Sequence, residues 1–169
     1  PEVAHYLRDS GARALVAWDG IAADAARGAA EAGDVPLYVV VTGMGAIPEG
    51  AQDAATVLDA GADKGRFDMV PTQAADVAVL VYTSGTTGRP KGAELTHYQL
   101  YMNCDVAGRL FGLQREDVGL AVLPLFHVFG LSSVLNICLR YGATITLVPR
   151  FEPAKVLEVM ERDGVTIFS

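Results

Sequence analysis

Basic residues are in short supply. Lys and Arg number 13 against 20 Asp and Glu, a formal charge of −7. No Lys/Arg cluster interrupts that acidity, which argues against a nucleic-acid surface and fits a chain kept in solution by its charge. Cysteine is scarcer still: Cys104 and Cys138 are the only two. They show no metal or redox spacing. Both fall in apolar helical patterns and read as buried free thiols in a reducing cytosol, with a single disulfide as the alternative. No apolar run approaches the length that spans a bilayer, and no secretory signal pattern opens the chain. Repeats and low-complexity tracts are also missing. The expectation is a cytoplasmic α/β protein, roughly one domain's worth of chain.

What is present alternates between strand and helix patterns. Pro1–Ser10 reads as a helix stopped by Gly11, Ala14–Trp18 as a short strand, and Ile21–Ala32 as an alanine-rich helix. Leu37–Val41 is a buried strand pattern, and the alternation predicts right-handed parallel βαβ connections. From residue 42 to 72 the pattern weakens into a Gly- and Pro-punctuated excursion with one short helix near Gln52–Ala60. Asp76 reads as a turn or cap carboxylate. Val77–Tyr82 is a strand, Thr96–Leu110 a helix, Val118–Leu123 a strand and Ser132–Arg140 a helix. Ala143–Val148, Pro153–Arg162 and Thr166–Phe168 complete a strand, a helix and a last strand.

The chemistry concentrates after the Val77–Tyr82 strand. Tyr82-Thr83-Ser84-Gly85-Thr86-Thr87-Gly88-Arg89-Pro90-Lys91-Gly92 holds three glycines, four Ser/Thr hydroxyls and a lysine. Glycines let backbone N–H groups approach an anion, hydroxyls donate to phosphate oxygens, and Lys91 adds a compact positive charge. Thr96-His97-Tyr98-Gln99 then has the form of a capping box that opens the helix. The string is not a Walker A loop, because Gly92 follows Lys91 where a metal-binding hydroxyl belongs. A Walker-type kinase or ATPase is therefore poorly supported.

A second string, Leu123-Pro124-Leu125-Phe126-His127-Val128-Phe129-Gly130-Leu131, places one histidine among apolar residues. On its own that pattern is more often a core histidine than a catalyst.

Together, and in this order, the two strings resemble the two signatures of the adenylate-forming (AMP-binding) superfamily. That superfamily includes acyl-CoA synthetases, firefly luciferase and the adenylation domains of peptide synthetases. The resemblance covers mainly Val77–Ser169. It implies an α/β fold, a fragment of the large N-terminal domain with mostly parallel sheets flanked by helices. Residues 1–75 would form a βαβ lead-in and 76–169 the phosphate-loop and acyl-pocket region. The C-terminal domain and the adenine, ribose, Mg²⁺-glutamate and catalytic-lysine motifs would lie downstream of this stretch. The chain opens on Pro1 and closes within a strand-like run, so an excised piece that turns nothing over alone is the expectation.

Carried over by position, the resemblance makes Thr83, Ser84, Gly85, Thr86, Thr87, Gly88 and Lys91 the ATP-phosphate loop, with Thr83 a candidate ligand of Mg²⁺. His127 and Lys91 would be the catalytic side chains. His127, Phe129 and Gly130 would face the acid. The implied reaction activates a carboxylic acid with ATP as an acyl-adenylate, releases pyrophosphate, and passes the acyl group to coenzyme A. Likeness to fatty-acyl and aryl-acid ligases favours a fatty acid, hence lipid metabolism. A homodimer is allowed. An adenylation domain that loads a carrier protein, or a non-catalytic nucleotide-binding module, are the alternatives.

Overall fold

In the computed structural model, residues 2–33, 35, 37–41, 46–62, 65, 68–83 and 90–168 are described. The chain divides into two compact units, Pro1–Pro71 and Thr72–Ser169.

The first unit opens with helix α1 (Glu2–Ser10), strand β1 (Ala14–Trp18), a 3₁₀ turn at Asp19–Ile21 and helix α2 (Ala22–Ala32). Strand β2 (Leu37–Val41), the short strand β3 (Gln52–Asp53) and helix α3 (Ala54–Ala62) follow. The three strands pair in parallel in the order β1-β2-β3. Small residues make this core: Ala17, Ala22 and Ala25 pack with Tyr38 and Val40. The Tyr38 hydroxyl donates to the Ala22 carbonyl at 2.8 Å, so its one polar atom is satisfied as the ring is buried. The predicted helix at Gln52 starts two residues later, because Gln52 and Asp53 are drawn into pairing with β2.

The second unit begins with strand β4 (Val77–Thr83), strand β5 (Lys91–Thr96) and helix α4 (His97–Phe111). Strand β6 (Val118–Ala121), a π-helical turn segment (Gly130–Asn136) and helix α5 (Ile137–Tyr141) come next, then strand β7 (Thr144–Leu147) and helix α6 (Pro153–Asp163). Strands β6 and β7 are parallel, and Ile167 bridges the other side of β6 at Gly119, also in parallel. One face of this sheet buries Leu120 and Val148 against Val156 and Val159 of α6. Gly112, Gly142 and Gly164 end their helices in the left-handed region, where the missing Cβ removes the steric cost. Asp76 is the turn carboxylate expected of it, accepting from the Gln73 amide at 2.7 Å.

Three local expectations need correction. The stretch between the glycine-rich loop and α4 is a strand, β5, and it pairs antiparallel with β4. In Lys91-Gly92-Ala93-Glu94-Leu95-Thr96 only Ala93 and Leu95 alternate with polar residues, too short a pattern to announce a strand, and the ladder to β4 makes it one. The helix predicted from Ser132 starts at Gly130, and its first seven residues wind as a π-helix. The helical spacing of Leu100, Cys104, Ala107 and Phe111 predicts one apolar face for α4; the buried stripe is instead Cys104, Asp105 and Gly108, and Phe111 is 75% exposed. A carboxylate inside a helix face reads from sequence as solvent-facing, which is why the predicted stripe was rotated away from Asp105.

Candidate active site

The glycine-rich loop is the connection of a β-hairpin. Pairing runs from Val77↔Thr96 to Thr83↔Lys91, with a register shift between Val77 and Val79. Thr83 and Lys91 are thus directly opposite at the loop end of the ladder, where paired side chains share a face. Both are exposed, and the Lys91 ammonium has no ion-pair partner among the described residues. Tyr82 lies opposite Gly92, and a Cβ there would come within 3.3 Å of the Tyr82 ring. Gly92 is therefore the space into which Tyr82 lies, a role that no local signal reveals. Ser84, Gly85, Thr86, Thr87 and Gly88 of the predicted phosphate loop fall outside the described residues.

From the hairpin the chain passes straight into α4. Thr96 accepts from the Gln99 amide at 3.2 Å, and the Gln99 side chain accepts from the Thr96 amide at 2.8 Å. This is the reciprocal capping box read from the sequence. It leaves no slack between β5 and α4. His97 is exposed at the first turn of α4, its amide donating to the Asp76 carbonyl at 3.1 Å.

The second string folds into a tight turn after β6. The His127 amide donates to the Pro124 carbonyl at 3.0 Å, and the Leu131 amide to the His127 carbonyl at 3.0 Å. Gly130 is buried against the backbone of that turn. A Cβ on it would stand 2.4 Å from the Pro124 carbonyl oxygen, so no larger residue fits without moving backbone. The turn leaves the His127 ring exposed. The Phe129 amide donates to His127 Nδ1 at 3.2 Å. A nitrogen that accepts carries no proton, so the neutral ring holds its N–H on Nε2, aimed away from its own backbone.

Phe129 turns the other way, into an apolar cavity of about 400 Å³ beside the helical run 130–141. Ser133, Val134, Ile137 and Cys138 line it with Phe111. Two of these residues, Ser133 and Val134, stand on the π turn, and such turns gather at functional sites. Sequence reading singled out Phe129 but missed Ser133, since a serine in a helix pattern gives no sign of the face it takes. Both cysteines are free and buried. Burial pushes both thiols up, so they stay protonated and inert.

The structure therefore joins His127, Phe129 and Gly130 in one turn, and Thr83 with Lys91 across one strand pair. Lys91 and His127 stand on separate elements, each leading into one of two packed helices.

The AMP-binding enzyme family model matches residues 1–169. The chain belongs to this adenylate-forming family. It is 37% identical over 172 residues to 4-coumarate–CoA ligase 5 of Oryza sativa subsp. japonica, an alignment covering 99% of this chain and 30% of that protein. It is also 37% identical over 95 residues to long-chain-fatty-acid–CoA ligase of Bacillus subtilis (strain 168), covering 55% of this chain and 17% of that enzyme. Among solved structures, O-succinylbenzoate coenzyme A synthetase (MenE) from Bacillus subtilis, in complex with ATP and magnesium ion, superposes with a TM-score of 0.68. There the identity is 29%, and the match covers 98% of this chain and 30% of that one. The chain thus spans about a third of the length of these relatives. Its mostly parallel α/β fold is that of the N-terminal domain of CoA ligases. Among the described residues, no helix is long and apolar enough to cross a membrane.

Proposed function

We propose that this chain is the phosphate-loop and acid-binding part of a cytoplasmic, AMP-forming acid–CoA ligase. The observation that carries the reading is the His127 turn. It presents an Nε2–H donor to solvent while the neighbouring Phe129 opens an apolar cavity.

The chemistry asked of these residues is mostly positioning and charge stabilisation. A carboxylate oxygen attacks the α-phosphorus of ATP. A new P–O bond forms and the bond to pyrophosphate breaks. A thiolate of coenzyme A then attacks the acyl carbon, forming C–S and releasing AMP, its proton having gone to solvent. His127 Nε2–H would hold the acid oxygen and offset charge as the P–O bond forms. Lys91, with Ser84, Gly85, Thr86, Thr87 and Gly88, would hold the β- and γ-phosphates.

Exposed Thr83, a hard oxygen donor on the same face as Lys91, fits a place in a magnesium shell. Bound there, Mg²⁺ would neutralise phosphate charge. Phe129 and Gly130 would shape the acid site, Phe129 by lining the cavity and Gly130 by allowing the turn.

Relatives that act on 4-coumarate and on long-chain fatty acids both match, and both acids would suit an apolar cavity. The sequence reading favours the fatty acid. Acid-dependent exchange of pyrophosphate into ATP by the full-length protein, run across fatty acids of several lengths and a set of aryl acids, tests the reaction and names the acid class. Transfer to coenzyme A or to a carrier protein then identifies the acceptor. ATP binding without exchange on any acid would leave a nucleotide-binding module.

A further inference from the structure

The two halves of the candidate site meet through two helices. Helix α4 leaves β5 with only the Thr96 cap between them, so α4 and the Lys91 hairpin move together. The run 130–141 leaves the His127 turn just as directly, with the Ser132 hydroxyl donating to the Val128 carbonyl at 2.7 Å. These helices pack closely. A Cβ at Gly108 would stand 2.1 Å from the Tyr141 ring, and the Cys104 thiol reaches the Ser132 carbonyl at 3.8 Å.

At the centre of this joint lies Asp105, whose side chain is only 6% exposed. One carboxylate oxygen accepts from Arg140 at 3.2 Å and the other from Arg109, one turn along α4. The same Arg140 nitrogen donates to the Tyr101 hydroxyl at 3.1 Å, and the guanidinium lies over the Tyr101 ring at 5.0 Å. Tyr141 returns the contact, its hydroxyl donating to the Asp105 carbonyl at 3.0 Å. An ion pair of this kind, with a buried carboxylate and partly exposed guanidiniums, adds little net stability over apolar side chains of equal volume. Its directional, charge-assisted bonds instead admit one register between the helices.

We infer that Asp105 is a positioning residue: gripped by Arg109 and Arg140, it locks α4 to the 130–141 run and so sets where the His127 turn stands relative to the Lys91 hairpin. The kinetic part of this inference rests on the adenylation reading.

The test uses Asp105→Asn, which keeps the shape, and the half-exposed Arg140→Gln, which spares the fold, in the full-length protein. Each is expected to lower kcat for pyrophosphate exchange about tenfold, with the thermal midpoint still well above the assay temperature. In a His127→Ala background the same changes should cost less than about twofold, since there is no longer an imidazole to misplace. A cost undiminished in that background is a loss of folded protein, and it would overturn the inference, as would no cost at all. A second readout does not need turnover: the His127 imidazole ¹⁵N–¹H resonances, assigned through His127→Ala, should shift in both variants. If the unsubstituted protein exchanges no pyrophosphate, the adenylation reading fails and these resonances decide; unmoved, they overturn the positioning role.

Discussion

The Phe129 backbone amide donates to His127 Nδ1 at 3.2 Å, within one turn of chain. The bond fixes the ring and selects the nitrogen that can serve a substrate. His127→Ala should therefore lower kcat for adenylation by roughly 10²-fold, the usual cost of one aimed donor. His127→Gln, whose amide nitrogen reaches the place of Nε2, should retain more activity than His127→Asn, whose amide reaches only the place of Nδ1. Equal activity of the two variants would mean that the Nε2 proton has no part in the reaction.

Gly130→Ala tests the turn itself. Its Cβ would meet the Pro124 carbonyl at 2.4 Å, a backbone atom that cannot rotate away. Overpacking of this kind costs about 1–3 kcal/mol, seen as a lower denaturant midpoint at unchanged slope. Exchange should fall as well, because the displaced Pro124 carbonyl is the acceptor of the His127 amide.

Lys91→Ala should separate function from stability. The ammonium is exposed and holds no ion pair among the described residues, so unfolding should change by less than about 0.5 kcal/mol. Pyrophosphate exchange should nevertheless drop at least about tenfold, as befits a charge set against phosphate. Unaltered exchange would remove Lys91 from the site.

Acid stability should report on the last helix. The Arg162 guanidinium, and after it the Thr146 hydroxyl, bond the Asp163 carboxylate and lower its pKa from 3.8 to about 2. Because the folded value lies below the unfolded one, the contribution is complete above about pH 4. It is lost as pH falls through about 2. Asp117 is lowered in the same sense, first by the Gln114 amide and then by the Thr166 hydroxyl. Thermal midpoints measured between pH 2 and 6 should therefore fall less steeply for Asp163→Asn than for the parent, on the principle that a carboxylate removed cannot titrate.

The parts of the fold that sequence reading captured are those set within a few residues. Thr96 and Gln99 satisfy each other across one helical turn, and Gly112, Gly142 and Gly164 stop helices by their own backbone freedom. Pro153 opens α6 where its missing N–H is harmless. That His127, Phe129 and Gly130 share one turn was legible for a related reason, since they are adjacent in the chain.

Strand β5, the π turn and Asp105 were not legible. Strand β5 is polar and takes its ladder from a partner across the loop, and Asp105 is neutralised by Arg140, 35 residues away. The identities of the loop and turn residues, the helix caps and the alternation of elements follow from the sequence alone, because local sterics and hydrogen bonding decide them. Which face of α4 is buried and what Gly92 and Gly130 make room for were decided only by tertiary structure. Each depends on atoms brought together by packing.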